Sequence, residues 1–338
     1  VAKERATIAA IAAEVGVSVP TVSRVLNGRS DVAEATRARV EEALTRHQYR
    51  KPVASNPAAR SSQLIDVVFH WFGSAWAQAI IVGVERAAAP EHISIVLSEL
   101  GGSHRPDQEW LDSIMARRPV GVLLVLSGLD ATQRDQLSSR SIPFVVLDTD
   151  GEPPAGLPSV GSNNWSGGLS ATRHLIGLGH VRIAVISGPE DVLCSRARVD
   201  GFRSAHDEAG IPVDPKLICW GDFEAPAGYD HAVRLLQQPD RPTAIFAGSD
   251  SQALGVIRAA HDLGLRVPQD LSVVGYDDVP LLEWVTPPLT TVKQPLSEMA
   301  TLATQMLISM SRGEPLSANR VELGTELIVR KTTAPPAG

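Results

Sequence analysis

The chain has 338 residues, 43% of them hydrophobic, and 31 Lys and Arg against 38 Asp and Glu give it a net charge of −7. That length and apolar content accommodate two or three domains with complete cores. No run of 18 apolar residues occurs, and the first residues lack a basic segment leading into an apolar one. Neither a membrane span nor membrane association is therefore expected, and the expected location is cytoplasmic.

The first fifty residues predict an all-α unit. Ile8, Ile11, Ala12 and Val15 recur at i, i+3, i+4 and i+7, which gives a first helix one buried face. Gly16 allows a sharp turn, Ser18 is placed to cap a second helix, and Pro20 falls in the first turn, where no N–H is missed. Val22, Val25 and Leu26 form the inward stripe of that helix, leaving Val19, Pro20, Ser23, Arg24 and Asn27 outward. A third helix over about 33–47 carries Val40, Ala43, Leu44 and His47 toward a small core with Val32 and Tyr49. Two short helices about a tight turn, braced by a third, form a helix-turn-helix, whose second helix enters DNA.

Charge supports that reading over a merely structural helical pair. Residues 1–60 hold ten Lys and Arg against six Asp and Glu, a net of +4, so the remainder carries −11. A cationic head on an acidic body confines phosphate binding to the head.

Residues 50–64, with two prolines, small polar side chains and three positive charges, read as a linker. Beyond it, apolar runs at 65–69, 93–97, 120–126, 144–147, 183–186, 244–246 and 271–274 alternate with longer amphipathic segments. Continuous apolar strands between helices indicate parallel sheets covered on both faces. The Pro- and Gly-rich stretch 148–159 divides the series, predicting two doubly wound subdomains with a cleft between them.

In such folds ligands lie beyond the carboxyl ends of the strands. The residues there are His70, Trp71 and Trp76; Asp148; Arg196 and Arg198; Ser249 and Asp250; and Asp277, with Asp278 beside it. Trp165 and Phe223 occupy turn-rich segments entering helices. Six of the fifteen aromatic residues are Trp, a bias toward flat apolar surfaces that stack on sugar C–H faces while Asp and Arg pair with vicinal hydroxyls. Taken singly, each Trp is more commonly a packing residue and each Asp after a strand an N-cap. Their convergence carries the binding hypothesis. The two cysteines, Cys194 and Cys219, show no metal-ligand spacing and are expected to be free thiols; no metal or other cofactor is expected.

Thr-Val-Ser-Arg-Val-Leu-Asn-Gly (21–28), the segments 174–186, 198–202, 244–255 and 267–278, and Pro-Pro-Leu-Thr-Thr-Val (287–292) follow one another in an order that resembles the lactose/galactose-repressor family of bacterial transcription regulators. The resemblance implies a periplasmic-binding-protein-like effector domain crossed three times by the chain, near Asn163, Thr291 and Val321. The implied organisation is a DNA-binding domain over 1–50, a hinge over 51–64, an N-subdomain over 65–162 plus 292–321, and a C-subdomain over 163–291 plus 322–334. It implies polar effector contacts from Asp148, Arg198 and Asp277, stacking by Phe223, and an aromatic wall at Trp76. His70, Trp71, Trp165, Arg196, Ser249 and Asp250 join them on chemistry and position.

On the DNA side, the resemblance assigns base contacts to Val19, Pro20 and Arg24, and Arg24 offers a fork for guanine O6 and N7. Thr7, Arg29 and Lys51 suit phosphate contacts, and Ser18, Thr21, Ser23 and Asn27 complete the DNA-facing set. The family's hinge helix wedges a Leu into the minor groove. Here 51–61 contains no Leu, the next being Leu64, and Val53 or Arg60 would have to substitute.

The expected function is that of a homodimeric, sequence-specific repressor of sugar-utilisation genes on a palindromic double-stranded operator, released by a small sugar. The wording around 193–198 looks most like xylose or xylo-oligosaccharide regulators. A sugar-binding protein serving transport would share the body but not the cationic head. An enzyme is not expected: Gly-x-Ser-x-Gly, His-Glu-x-x-His and P-loop motifs are missing, and the adjacent Asp277 and Asp278 point apart in an extended segment.

Overall fold

Within residues 7–26, 32–47, 63–101, 104–148 and 156–337, which the computed structural model describes, the chain forms a three-helix unit followed by two parallel-sheet subdomains. Asn27, Arg29, Lys51 and the hinge stretch 51–61 lie outside the described residues.

Helix α1 (Ile8–Val15) starts where the Thr7 hydroxyl accepts the Ala10 N–H at 3.2 Å, and it stops at Gly16, whose φ of +71° is the left-handed turn that a side chain disfavours. Helix α2 (Val19–Leu26) follows at a bend of 107°. Ser18 Oγ accepts the Thr21 N–H at 3.3 Å and shares a 2.9 Å hydrogen bond with Thr21 Oγ1, fixing the start of α2. Ile11, Ala12, Val15, Val22 and Val25 pack with Val40 and Ala43 of α3 (Glu34–Arg46). His47 differs from its expected core position. Its imidazole is exposed and lies 2.5 Å from one carboxylate oxygen of Glu14, while Arg46 donates to the other at 2.8 Å, so a polar clasp ties α3 to α1. The histidine hydrogen bond holds the Glu14 carboxyl below its usual range.

The body contains, in chain order, β1 (Leu64–Phe69), α4 (Ala75–Ala88), β2 (Ser94–Glu99), α5 (Gln108–Arg117), β3 (Gly121–Val125), α6 (Ala131–Ser139), β4 (Phe144–Leu147), β5 (Ser159–Ser162), α7 (Asn164–Gly177), β6 (Ile183–Ser187), α8 (Leu193–Ala209), β7 (Ile218–Trp220), α9 (Ala225–Leu236), β8 (Ala244–Ala247), α10 (Asp250–Asp262), β9 (Ser272–Asp277), β10 (Thr290–Lys293), α11 (Leu296–Ser311), β11 (Arg320–Leu323) and β12 (Glu326–Ile328).

The first sheet runs β11-β5-β4-β3-β1-β2 and is parallel throughout. The second runs β12-β10-β9-β8-β6-β7 and is parallel except for β12, which pairs antiparallel with β10. In each, the strand order reverses about the first strand, β1 or β6, and that topological switch opens a crevice at the carboxyl ends. β1, β3, β6, β8 and β9 are almost wholly buried, which explains their uninterrupted apolar runs.

The chain leaves the first sheet after Ser162, returns after Lys293, and crosses again between Leu323 and Glu326. The last two crossings fall two residues or more beyond the positions expected near Thr291 and Val321. The cause is register: Thr290–Lys293 must pair with Val274–Asp277, and Arg320–Leu323 with Ser159–Ser162, before the chain can change sheets. α11 then packs on the first sheet through Leu296, Met299, Ala300, Ala303 and Leu307.

Candidate effector cleft and DNA-reading helix

Two glycines bring the central guanidinium into place. On α7 and α8, a Cβ at Gly168 would lie 2.1 Å from the Arg198 carbonyl oxygen, and one at Gly201 would lie 2.2 Å from the Trp165 carbonyl oxygen. Without those side chains the two helix backbones touch, and α8 delivers Arg198, 3% exposed, beneath the cleft. Its Nε donates to Asn164 Oδ1 at 2.9 Å and its Nη1 to the Gly248 carbonyl. The guanidinium carbon lies 3.8 Å from the centre of the Tyr276 ring and 5.4 Å from that of Phe223, so two aromatic faces stabilise the buried cation.

Above Arg198 a cavity of about 570 Å³ separates the carboxyl ends of β1, β3 and β4 from those of β6, β8 and β9. His70, Trp71, Trp76, Asp148, Arg198, Phe223, Ser249, Asp250 and Asp277 all line it. Three of its wall residues have left-handed φ at strand ends: Leu126 at +48°, Asp148 at +51° and Asp277 at +121°. Such conformations cost of order 1–3 kcal/mol each and concentrate at functional sites.

The carboxyls differ in their availability. Asp250 is already committed, accepting the Val279 N–H at 3.0 Å and the Thr291 hydroxyl at 2.5 Å. Ser249 is committed too: its Oγ accepts the Gln252 N–H at 3.0 Å, capping α10, and donates to the Phe223 carbonyl at 2.6 Å, holding the loop that presents the Phe223 ring. The cap of α10 is thus Ser249, not the aspartate after the strand, and Asp250 instead braces Val279 and Thr291 within the cleft wall. Asp277 Oδ1 accepts from Gln294 Nε2 at 2.7 Å, and Asp278 turns away to pair with Arg330 at 2.7 Å. Burial pushes the Asp148 carboxyl up to about 6 and that of Asp277 up to about 7, against the opposing pull of Arg198. Burial and the neighbouring Asp277 raise Asp250 as well.

Two expected residues are elsewhere. Arg196, two positions from Arg198, is exposed and lines no described cavity, because two residues on a helix turn about 200°. Trp165 lines a separate, smaller cavity. Several wall residues were not anticipated. His104, in the loop after β2, stacks on His70 with centroids 4.1 Å apart and planes 4° apart, and its Nδ1 donates to the Leu126 carbonyl at 2.8 Å. Asp222 and Glu224 flank Phe223. Gln294 links the subdomains, since its Oε1 accepts from Ser162 Oγ at 2.5 Å while its amide nitrogen serves Asp277.

On the three-helix unit, Ser18, Val19, Pro20 and Arg24 are exposed on the face opposite Val22 and Val25, with Thr21 and Ser23 partly covered. Among the described residues no single helix is long and apolar enough to cross a membrane, and no cluster of three or more His, Cys, Asp or Glu could hold a metal ion.

Residues 7–51 match the family described as bacterial regulatory proteins, lacI family, and residues 172–333 match the periplasmic binding protein-like domain. The chain is 34% identical over 331 residues to the HTH-type transcriptional repressor CytR of Escherichia coli strain K12, covering 97% of this chain and 96% of that protein. It is 35% identical to the ribose operon repressor of the same strain, covering 96% and 99%. Among solved structures, the transcriptional regulator CelR–cellobiose complex superposes with a TM-score of 0.73 at 32% identity, covering 97% of this chain and 100% of that one. The lac repressor dimer bound to operator and the anti-inducer ONPF gives 0.70 at 29%, covering 98% and 100%. The chain therefore belongs to the lacI family of bacterial regulatory proteins, as a DNA-binding transcriptional regulator whose helix-turn-helix is joined to a two-subdomain effector-binding domain.

Proposed function

We propose that the protein is a repressor of sugar-utilisation genes that binds a palindromic operator as a homodimer and leaves it when a small neutral sugar occupies the 570 Å³ cleft. The observation that carries this reading is the setting of Arg198. One buried guanidinium faces the Asp148 and Asp277 carboxyls of opposite subdomains, with Trp71 and Trp76 on one wall and Phe223 on the other. Carboxylates beside a guanidinium suit vicinal hydroxyls, and flat rings suit the apolar faces of a pyranose. Five lining carboxyls against Arg198 disfavour an anionic effector. The relatives named for ribose and cellobiose lend the same class to this chain, and within it we favour xylose or a xylo-oligosaccharide.

Two-fold symmetry of the protein would map onto two half-sites, with Arg24, Val19 and Pro20 reading bases and Thr7 with Lys51 contacting phosphates. Closure around the sugar would rotate the subdomains through the three crossings and displace the paired DNA-binding units. Switching from mostly bound to mostly released takes about 5.5 kcal/mol of differential affinity. As a regulator acting on DNA, the protein would work in the compartment that holds the chromosome.

The test is binding of the purified protein to its own upstream DNA at fixed salt, titrated with xylose, xylobiose, cellobiose and glucose. Release by one of them supports the reading and names the ligand. Binding unaffected by all four would discard the sugar class, and tighter binding would reverse the sign of regulation.

A further inference from the structure

Trp165 belongs neither to the core nor to the effector cleft: 43% exposed on the first turn of α7, it edges a second cavity of about 200 Å³. This cavity opens where the edge strand β11 and its neighbour β5 of the first subdomain meet the first turns of α7 and α8 of the second. Arg320 and Glu322 are two apart on β11, so both project from the same face of the strand, and both are exposed. Their register partners on β5 are Ser159 and Gly161, side chains too small to fill the space between them. Asp148 and Cys194 line this cavity and the effector cleft alike, so a single layer of side chains divides the two.

The chemistry selects a class of occupant. The indole offers a flat apolar face. Arg320 supplies donors only, Glu322 and Asp148 are carboxyls, and together they match the alternating donors and acceptors of vicinal hydroxyls. An anion would meet Glu322 and Asp148, whereas a cation would meet Arg320. The volume suits one ring and not a chain of them.

We propose that this second cavity is a binding site for a single neutral saccharide ring, stacked on Trp165 and held by Arg320 and Glu322, distinct from the effector cleft. Its occupant touches both subdomains at their crossing edge, so binding there biases their relative angle and tunes how the main effector acts. The coupling rests on the effector reading above; the site itself does not.

The full-length protein labelled with 5-fluorotryptophan tests this by ¹⁹F NMR, with the Trp165 and Trp71 signals assigned from Trp165→Phe and Trp71→Phe. Xylose, glucose and xylobiose are the probes. The expected result is a saturable shift of the Trp165 signal with a monosaccharide, retained in Arg198→Ala and weakened at least about tenfold in Arg320→Ala, the loss equivalent to about 1.4 kcal/mol. A Trp165 signal unmoved by all three sugars overturns the site, whether or not Trp71 responds. So does a shift that tracks Trp71 at every concentration and disappears in Arg198→Ala, since it then reports the cleft. A Trp165 response without one from Trp71 supports the second site and counts against a sugar in the main cleft.

Discussion

The guanidinium of Arg198 rests 3.8 Å over the ring of Tyr276, on the strand whose next residue is Asp277. One side chain thereby bridges α8, the end of β9 and the Gly248 carbonyl beyond β8. Arg198→Ala leaves that carbonyl and Asn164 Oδ1 without their donor, at about 1–3 kcal/mol each. Thermal unfolding should fall by several degrees, the sugar response should vanish, and operator binding without sugar should persist. Arg198→Lys should rescue little, because an ammonium cannot reproduce a planar fork held between two rings. Retained induction in either variant would remove Arg198 from the effector site.

Asp277 makes stability and function oppose each other. Burial raises its carboxyl to about 7, so the folded protein binds more protons than the unfolded chain between about pH 4, the ordinary Asp value, and pH 7. Over that window this group's contribution to stability falls as pH rises, and above it the loss is complete. Asp277→Asn keeps an oxygen for the Gln294 amide but carries no charge. The variant should melt higher than wild type at pH 8, by a margin that narrows at pH 5 and closes only below about pH 4, and it should be blind to effector. Melting curves at both values check the sign; a variant less stable at pH 8 would contradict it.

Hydroxyls that donate to Asp148 and Asp277 favour their charged forms, so effector binding should release protons near pH 6.5 and tighten toward pH 8. Calorimetry in two buffers of different ionisation enthalpy measures that release. Equal heats in both buffers would mean that neither carboxyl changes its protonation on binding.

Ser249→Ala separates positioning from contact. The hydroxyl caps α10 and holds the Phe223 carbonyl, so its removal should cost about 1 kcal/mol of stability through the lost cap. Effector affinity should fall moderately, by loosening of the Phe223 loop and not by loss of a direct bond. Ser249→Asn restores a capping oxygen and should recover the stability, leaving any remaining affinity deficit to report the loop.

Much of the architecture is legible in the residues themselves. Central strands such as Gly121–Val125 and Ile183–Ser187 are buried on both faces and announce themselves as unbroken apolar runs. β7, β11 and β12 do not, because short edge strands of three or four residues need only backbone pairing and carry mixed side chains, and β5, between β11 and β4, is too short at four residues to stand out. Strand-end placement found Arg198, Asp148, Phe223 and Asp277 for the cleft wall. It missed His104, which reaches the wall from a loop after an outer strand, and Gln294, whose role depends on Ser162 far away in sequence. Position after a strand also cannot give azimuth on the following helix, so it does not distinguish the exposed Arg196 from the buried Arg198.

The DNA-reading face yields a prediction that depends on distinguishing base from phosphate contacts. Arg24 is exposed on α2, opposite the Val22 and Val25 stripe. A bidentate contact to guanine is worth about 1–3 kcal/mol of discrimination, so Arg24→Ala should weaken operator binding far more than binding to random DNA, leaving sugar affinity untouched. A phosphate contact would behave otherwise: affinity for both DNAs would drop together, and the slope of log affinity against log salt would shrink by about 0.9. Titrations on both DNAs across a range of salt concentrations separate the two. A common drop with a reduced slope would reassign Arg24 to the backbone and leave base reading to other residues of the helix.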